Sequence, residues 1–320
     1  MHVERLGSVV LVGRSLISVA RSIRELTPLE IRVLILGPTG TGKELIAKAL
    51  FELSMRRSGK YVALNCGSIP EGLLEDELFG HVAGAFTGAI RDSIGLVESA
   101  DGGTLFLDEI AEMSIRAQAA VLRLLEAGEF SRVGETRTRK ADVRVLSATH
   151  GDLESLIASG RFREDLYHRL RGSVIHLVPL RERLQDLPEL AEHFIHSSSL
   201  DLMKPRIALR PPVMRALLGH RWPGNVRELK NLIGELTARH GGKHIHISDL
   251  EPMLRVTPDP DPRPDERAEI QWALEMSKYV VSDAALYFGC ARPHFYRLMR
   301  KHRLGPFDQG RESRDGGLSR

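Results

Sequence analysis

The stretch Ile31-Arg32-Val33-Leu34-Ile35-Leu36-Gly37-Pro38-Thr39-Gly40-Thr41-Gly42-Lys43-Glu44 sets a β-branched run against a glycine-rich turn that ends in a lysine. Ile31–Leu36 reads as a strand and Lys43–Leu53 as a helix. In that setting the glycines let backbone N–H groups curl around a phosphate. The helix N-terminus favours the anion, and Lys43 reaches the outer phosphates. Gly37, Pro38, Thr39, Gly40, Thr41, Gly42, Lys43 and Glu44 are therefore the candidate ATP-binding residues. A glycine turn with no ligand is the plain alternative, and strand, spacing and lysine together count against it. Glu44 departs from the general pattern, in which a Ser or Thr hydroxyl follows the lysine and holds Mg²⁺.

Roughly 65 residues beyond Lys43, Leu105-Phe106-Leu107-Asp108-Glu109 is an apolar strand that ends in two acids. Such a pair suits Asp108 to hold Mg²⁺, directly or through water, and Glu109 to polarise an attacking water. Two solvated acids at a strand end are common by themselves. Joined to a phosphate loop they point to ATP hydrolysis, because mere storage of nucleotide needs no general base.

Outward from these motifs, strand-like runs at Tyr61–Leu64, Thr104–Leu107, Val143–Ala148 and Val174–Val178 alternate with helical stretches at Glu71–Phe79 and Ile115–Ala127. The expected fold is α/β, a parallel sheet covered by helices. After Pro179 strand signals stop, and Leu187–Ile195, Pro211–Leu218 and Asn225–Ala238 predict an all-helical unit. Alternating prolines from Pro258 to Pro264 read as a semi-rigid linker. Three short helices follow at Glu269–Met276, Ser282–Phe288 and Arg292–His302, and the Gly- and charge-rich end from Gln309 reads as a disordered tail. The expected organisation is 8–178 for the α/β part, 179–255 for the helical part, 256–266 for the linker, 267–304 for the last helices and 305–320 for the tail.

The 320 residues are 42% hydrophobic and 27% charged, an ordinary globular balance that excludes wholesale disorder and fibrous repeats. Two cysteines, Cys66 and Cys290, lie far apart with no metal-ligand spacing, so neither a disulfide framework nor a zinc site is expected. The longest apolar runs, such as Val9–Val12, fall far below the ~18–20 residues of a membrane helix, and no leader opens the chain. The net charge of +3 conceals a split. Arg292, Arg297, Arg300, Lys301 and Arg303 put +5 into residues 292–303, which contain no acid and leave −2 for everything else.

Between the two nucleotide motifs stands Gly84-Ala85-Phe86-Thr87-Gly88-Ala89, a small-residue loop with one aromatic ring and one hydroxyl. It resembles the GAFTGA loop of bacterial enhancer-binding proteins, the AAA+ activators of sigma-54 RNA polymerase. The likeness runs from about Val12 to Leu304. Glu75–His81 leads into the loop as in that family, and Gly128–Gly134 resembles its second protruding hairpin. The resemblance implies an AAA+ P-loop ATPase fold with a helical lid, and Glu44 is usual there. It makes Gly84, Ala85, Phe86, Thr87, Gly88 and Ala89 the sigma-54 contact, and Asn65 the residue that hydrogen-bonds Glu109. Alone, Asn65 would read as a capping residue.

Gly160–Leu170 matches the family's arginine-finger stretch, so Arg163 and Arg169 are carried over as groups that stabilise the γ-phosphate of a neighbouring subunit. Without the resemblance, two arginines six apart read as a solvated helix face. Trp222–Leu229 matches the lid motif in which Arg227 would contact nucleotide. Val145–Thr149 matches sensor I, but His150 stands where the family usually has Asn, so Thr149 and His150 are nucleotide-sensing candidates with altered chemistry at the second.

The last helices resemble a Fis-type helix-turn-helix, with Arg292, His294, Arg297, Arg300 and Lys301 as DNA-binding candidates. Ala291 stands where a capping Ser or Asn is usual. The implied partners are the sigma-54 RNA polymerase holoenzyme, an upstream DNA site and further copies of the chain in a ring, hexameric as in the family, with no membrane and a bacterial cytoplasmic location. Too few residues precede Val12 for a receiver domain, so a regulatory partner protein, hetero-assembly or control of expression is expected to take its place. The rival functions are a DNA-binding regulator with impaired hydrolysis, acting as a repressor or passive ring subunit, and an unrelated AAA+ machine such as a chelatase or unfoldase.

Overall fold

The computed structural model describes residues 3–250, 253–254 and 266–304. The proline run and the expected tail lie outside the described residues. The chain divides into one unit of Val3–Glu182 with Gly224–Val226, and a second that takes Arg183–Pro223 and the described residues after Val226.

In the first unit five strands form one parallel sheet, in the order Ser173–His176, Val33–Leu36, Arg144–Thr149, Thr104–Asp108, Tyr61–Asn65. The alternation of side chains along each strand sorts the core onto two faces. Val33, Ile35, Phe106, Leu146 and Ala148 pack with helices Ile17–Leu26 and Lys43–Glu52 on one face. Leu34, Leu105, Leu107 and Val145 pack with Glu71–Phe79, Ile115–Ala127 and Glu164–Leu170 on the other. Burial on both faces makes these strands continuous apolar runs rather than alternating ones.

Val9–Val12 reads in the sequence only as a short apolar run. It is half of a hairpin with Val3–Leu6, turned at Gly7 and Ser8, with Gly7 at φ 64°. Leu6, Val9 and Leu11 join the core on the face covered by Ile17–Leu26 and Lys43–Glu52.

The second unit carries the helices Leu187–Asp201, Pro211–Gly219 and most of Asn225–His240. The all-helical expectation for it is corrected by a parallel pairing of Ala208–Leu209 with His244–Ile245. Two-residue strands give no periodicity, so pattern reading has nothing to detect. The helices Glu266–Met276, Val281–Phe288 and Arg292–Lys301 complete the unit. Their small core joins Trp272 edge-on to Tyr287 at 6.0 Å and Phe288 to Phe295 at 5.4 Å. Val281–Phe288 also packs against Leu187–Asp201 and Pro211–Gly219, and the Arg215 guanidinium lies over the Trp272 ring at 5.3 Å. Among the described residues no helix is long and apolar enough to cross a membrane, and both cysteines are free.

Candidate functional site

Because the strands are parallel, their carboxyl ends gather on one edge, and the glycine turn, Asp108, Glu109 and Thr149 all follow from that edge. The turn begins where Gly37 N–H donates to the Thr149 carbonyl of the adjacent strand at 3.2 Å. A Cβ on Gly37 would stand 2.6 Å from the Leu177 carbonyl, so that approach requires glycine. Gly40 and Gly42 adopt φ 79° and 107°, turning the chain into the helix that Lys43 opens. Within the turn the Thr41 hydroxyl donates to the Pro38 carbonyl at 2.8 Å.

Asn225 is a residue of this site that sequence reasoning missed. Its Nδ2 donates to the Thr39 carbonyl at 2.9 Å and its Oδ1 accepts from Leu180 N–H at 2.8 Å. The residue is buried and left-handed at φ 52°, a conformation that Asn tolerates better than most side chains. Its place in the Trp222–Leu229 motif was the available signal, but only the tertiary structure shows that it holds the phosphate loop.

Lys43 is buried, with its ammonium 3.0 Å from the Gly37 carbonyl and 3.3 Å from Glu109 Oε1. Asp108 accepts from Glu109 N–H at 3.0 Å and from Asn65 Nδ2 at 3.3 Å. Burial, reinforced by the neighbouring Glu109 charge, pushes the Asp108 carboxyl above its usual range. Burial pushes Glu109 in the same direction. There it is outweighed by hydrogen bonds from the His150 ring and backbone and by the Lys43 charge, so Glu109 sits below the carboxylate range.

The expected bond from Asn65 to Glu109 is replaced by one to Asp108, because Asn65 pairs directly with Asp108 across the parallel strands. The partner of Glu109 is His150, with Nδ1 at 2.6 Å and the backbone N–H at 3.1 Å, both on Oε2. Thr149 is buried and its hydroxyl accepts from Gly151 N–H at 3.0 Å.

The other candidates lie apart from this cluster. Arg163 forms a two-pronged pair with Asp165 at 3.0 and 2.7 Å, and Arg169 lies 3.6 Å from Glu126. Gly84–Ala89 sits between the paired segments Gly80–His81 and Ser93–Ile94. It is closed by Gly84 N–H to the Ala89 carbonyl at 2.8 Å and opened to solvent at Phe86 and Thr87. The second hairpin, Glu129–Phe130 with Arg139–Lys140, is tied to the base of the first by Val82 N–H to the Val133 carbonyl at 3.1 Å.

In the second unit Arg227 is exposed. Arg292, Arg297 and Arg300 are exposed too, whereas Lys301 pairs with Glu266 at 2.7 Å. His294 lines a cavity of about 360 Å³ with Leu209, Arg210 and His244.

A five-stranded parallel sheet that brings a phosphate loop, a buried lysine and two strand-end acids to one edge, followed by a helical unit, defines an AAA+ type P-loop domain with a lid. The chain belongs to the Sigma-54 interaction domain family, which matches residues 10–176, and residues 181–267 match the AAA+ ATPase lid domain. It is 45% identical over 262 residues to the DNA-binding transcriptional regulator NtrC of Azospirillum brasilense, covering 81% of this chain and 54% of that protein. The Nif-specific regulatory protein of Azotobacter vinelandii is 43% identical over 289 residues, covering 86% and 55%. The chain thus spans about half the length of the curated relatives it matches. A crystal structure of NtrX from Brucella abortus in complex with ATP superimposes with a TM-score of 0.73 at 30% identity, covering 92% of this chain and 70% of that one.

Proposed function

We propose that this chain is an ATP-hydrolysing activator of sigma-54 RNA polymerase that works as a ring in the bacterial cytoplasm. The observation that carries the reading is the contact of Lys43 with Glu109 beside Asp108, at the carboxyl edge of the sheet, in a chain whose Phe86 and Thr87 stand exposed on a tethered loop. Lys43 binds the outer phosphates, with the glycine turn and Glu44 around them. Thr149 senses the γ-phosphate from the next strand, His150 follows it beside Glu109, and Arg227 is the lid residue assigned to nucleotide.

The donor set suits Mg²⁺. Among the described residues, Asp108 is a half-buried carboxylate with no ion pair of its own, and no three His, Cys, Asp or Glu gather to cage a metal. Such a site fits an ion held by one carboxylate together with phosphate oxygens and water. When bound, the ion neutralises phosphate charge. Glu109 takes a proton from water as the water oxygen bonds to the γ-phosphorus. The bond from that phosphorus to the bridging oxygen breaks, and ADP leaves with the electron pair. Arg163 and Arg169 from the adjacent subunit stabilise the charge that develops.

Turnover drives Gly84–Ala89 against sigma-54 in the closed promoter complex. The last two helices form a Fis-type helix-turn-helix that holds the ring at an upstream DNA site. In this reading Arg292, His294 and Arg297 contact base edges near the helix start, and Arg300 and Lys301 neutralise phosphates. Phosphate release measured across protein concentration tests the enzyme, and a steep rise marks sites shared between subunits. Thr87→Ala tests the coupling, and normal activation by that variant in a sigma-54 transcription assay would overturn the remodelling mechanism. A second reading, a regulator that binds ATP without productive hydrolysis, draws on the engagement of both Glu109 oxygens. No turnover at any concentration is its signature.

A further inference from the structure

The Asn65 amide is engaged at both ends, with Nδ2 on Asp108 Oδ2 at 3.3 Å and Oδ1 accepting from Gly67 N–H at 3.0 Å. Glu109 is held from the other side, by the end of the Arg144–Thr149 strand. Its backbone is left-handed, φ 52° and ψ 48°, a conformation that a non-glycine residue keeps only when its surroundings enforce it. Two donors of one residue, the His150 amide and ring, meet one oxygen, Oε2, at 3.1 and 2.6 Å. An ionised carboxylate only accepts, so the proton of this short contact resides on Nδ1. The other oxygen, Oε1, is thereby turned to Lys43 Nζ at 3.3 Å, toward the phosphate side of the site.

We infer that His150 is the positioning residue of the general base: ring and amide together grip Oε2 of Glu109, and Oε1 is the oxygen presented to the attacking water. This rests on the ATPase reading above and assigns to His150 a contact with the base rather than with phosphate. In Asn the amide nitrogen is attached to Cγ, just as Nδ1 is in His, so Asn at this position can deliver a donor to the same oxygen, whereas Ala cannot.

His150→Ala is expected to lower kcat about 10–100-fold, the scale of a misplaced catalytic group, with KM and the Kd for ATP unchanged. His150→Asn is expected to restore most of kcat. A His150→Ala rate equal to the wild-type rate, an ATP affinity that falls in parallel with kcat, or an Asn variant as slow as the Ala variant each overturns the inference. A readout that needs no turnover is the ¹⁵N spectrum of the ring nitrogens, with the His150 signal assigned by its loss in His150→Asn. Nδ1 is protonated in the wild type, and the ring moves toward the Nε2–H form in Glu109→Ala; an identical spectrum in the two proteins overturns the contact. Wild-type protein without turnover at every concentration sinks the ATPase reading, while turnover that is indifferent to His150→Ala sinks this inference alone.

Discussion

At the scale of single residues, the two adjacent acids Asp108 and Glu109 have opposite electrostatics, and their substitutions separate accordingly. Glu109→Gln keeps the shape and the His150 contact but cannot take a proton. ATP binding by equilibrium titration is expected to persist while turnover falls ~10²–10⁴-fold, the usual worth of a general base. Asp108, raised by burial, is still protonated in the folded chain when the unfolded chain has already ionised. Stability therefore falls as pH climbs from the ordinary carboxyl value near ~3.9 through the higher folded value. Asp108→Asn removes that penalty. Thermal denaturation of the nucleotide-free variant should show a higher Tm at neutral pH and a flatter profile across the mildly acidic range, together with loss of Mg²⁺-dependent ATP binding. Asn225→Ala deletes one buried and one part-buried hydrogen bond and leaves the Thr39 carbonyl and Leu180 N–H without their partner. The cost is about 1–3 kcal/mol by denaturant unfolding, with weaker ATP binding because the phosphate loop loses its brace.

At the scale of elements, ends and turns decide what sequence can announce. The helix Ile115–Ala127 shows its limits in the chain itself. Ser114 caps the first turn by accepting from Ala117 N–H at 3.1 Å, and Gly128 ends it at φ 69°. Arg292–Lys301 lacks a side-chain cap at Ala291, as the sequence indicated. Ala291→Ser should raise its stability by about 1 kcal/mol, read as reduced amide exchange in its first turn. Gly289, between the last two helices, is left-handed at φ 74°, and a Cβ there would stand 2.0 Å from the Leu209 carbonyl. Gly289→Ala should therefore detach these helices from the Ala208–Leu209 segment. Proteolysis is expected to cut the variant early between the two parts while the phosphate loop still binds ATP.

At the scale of the whole molecule, Arg163 and Arg169 pair only with Asp165 and Glu126 among the described contacts, not with the Lys43 cluster of their own chain. Shared sites follow if these arginines serve a neighbour. Lys43→Ala and Arg163→Ala proteins should each be inactive alone, yet a mixture should recover turnover, because an Arg163→Ala subunit keeps its own phosphate loop and borrows a guanidinium. A mixture as inactive as its components excludes Arg163 as the borrowed group.

The sequence by itself determined the α/β class, the phosphate loop, the acidic strand end and the exposed loop between them. Each is a local pattern: a β-branched run, glycines at fixed spacing, two acids after an apolar strand. Membership of the Sigma-54 interaction domain family was legible for the same reason, in the six residues Gly84–Ala89. The two-residue strands of the second unit and the Val3–Val12 hairpin were not, because they are too short to carry a period. The tertiary structure alone decided which side chains meet across the sheet edge. Asn65 and Asp108 stand side by side because their strands are neighbours in register, and His150 reaches Glu109 because the strand before it lies on the other flank of Thr104–Asp108. Asn225 braces a loop 186 residues away in sequence. Such pairings depend on strand order and register, which no local pattern encodes.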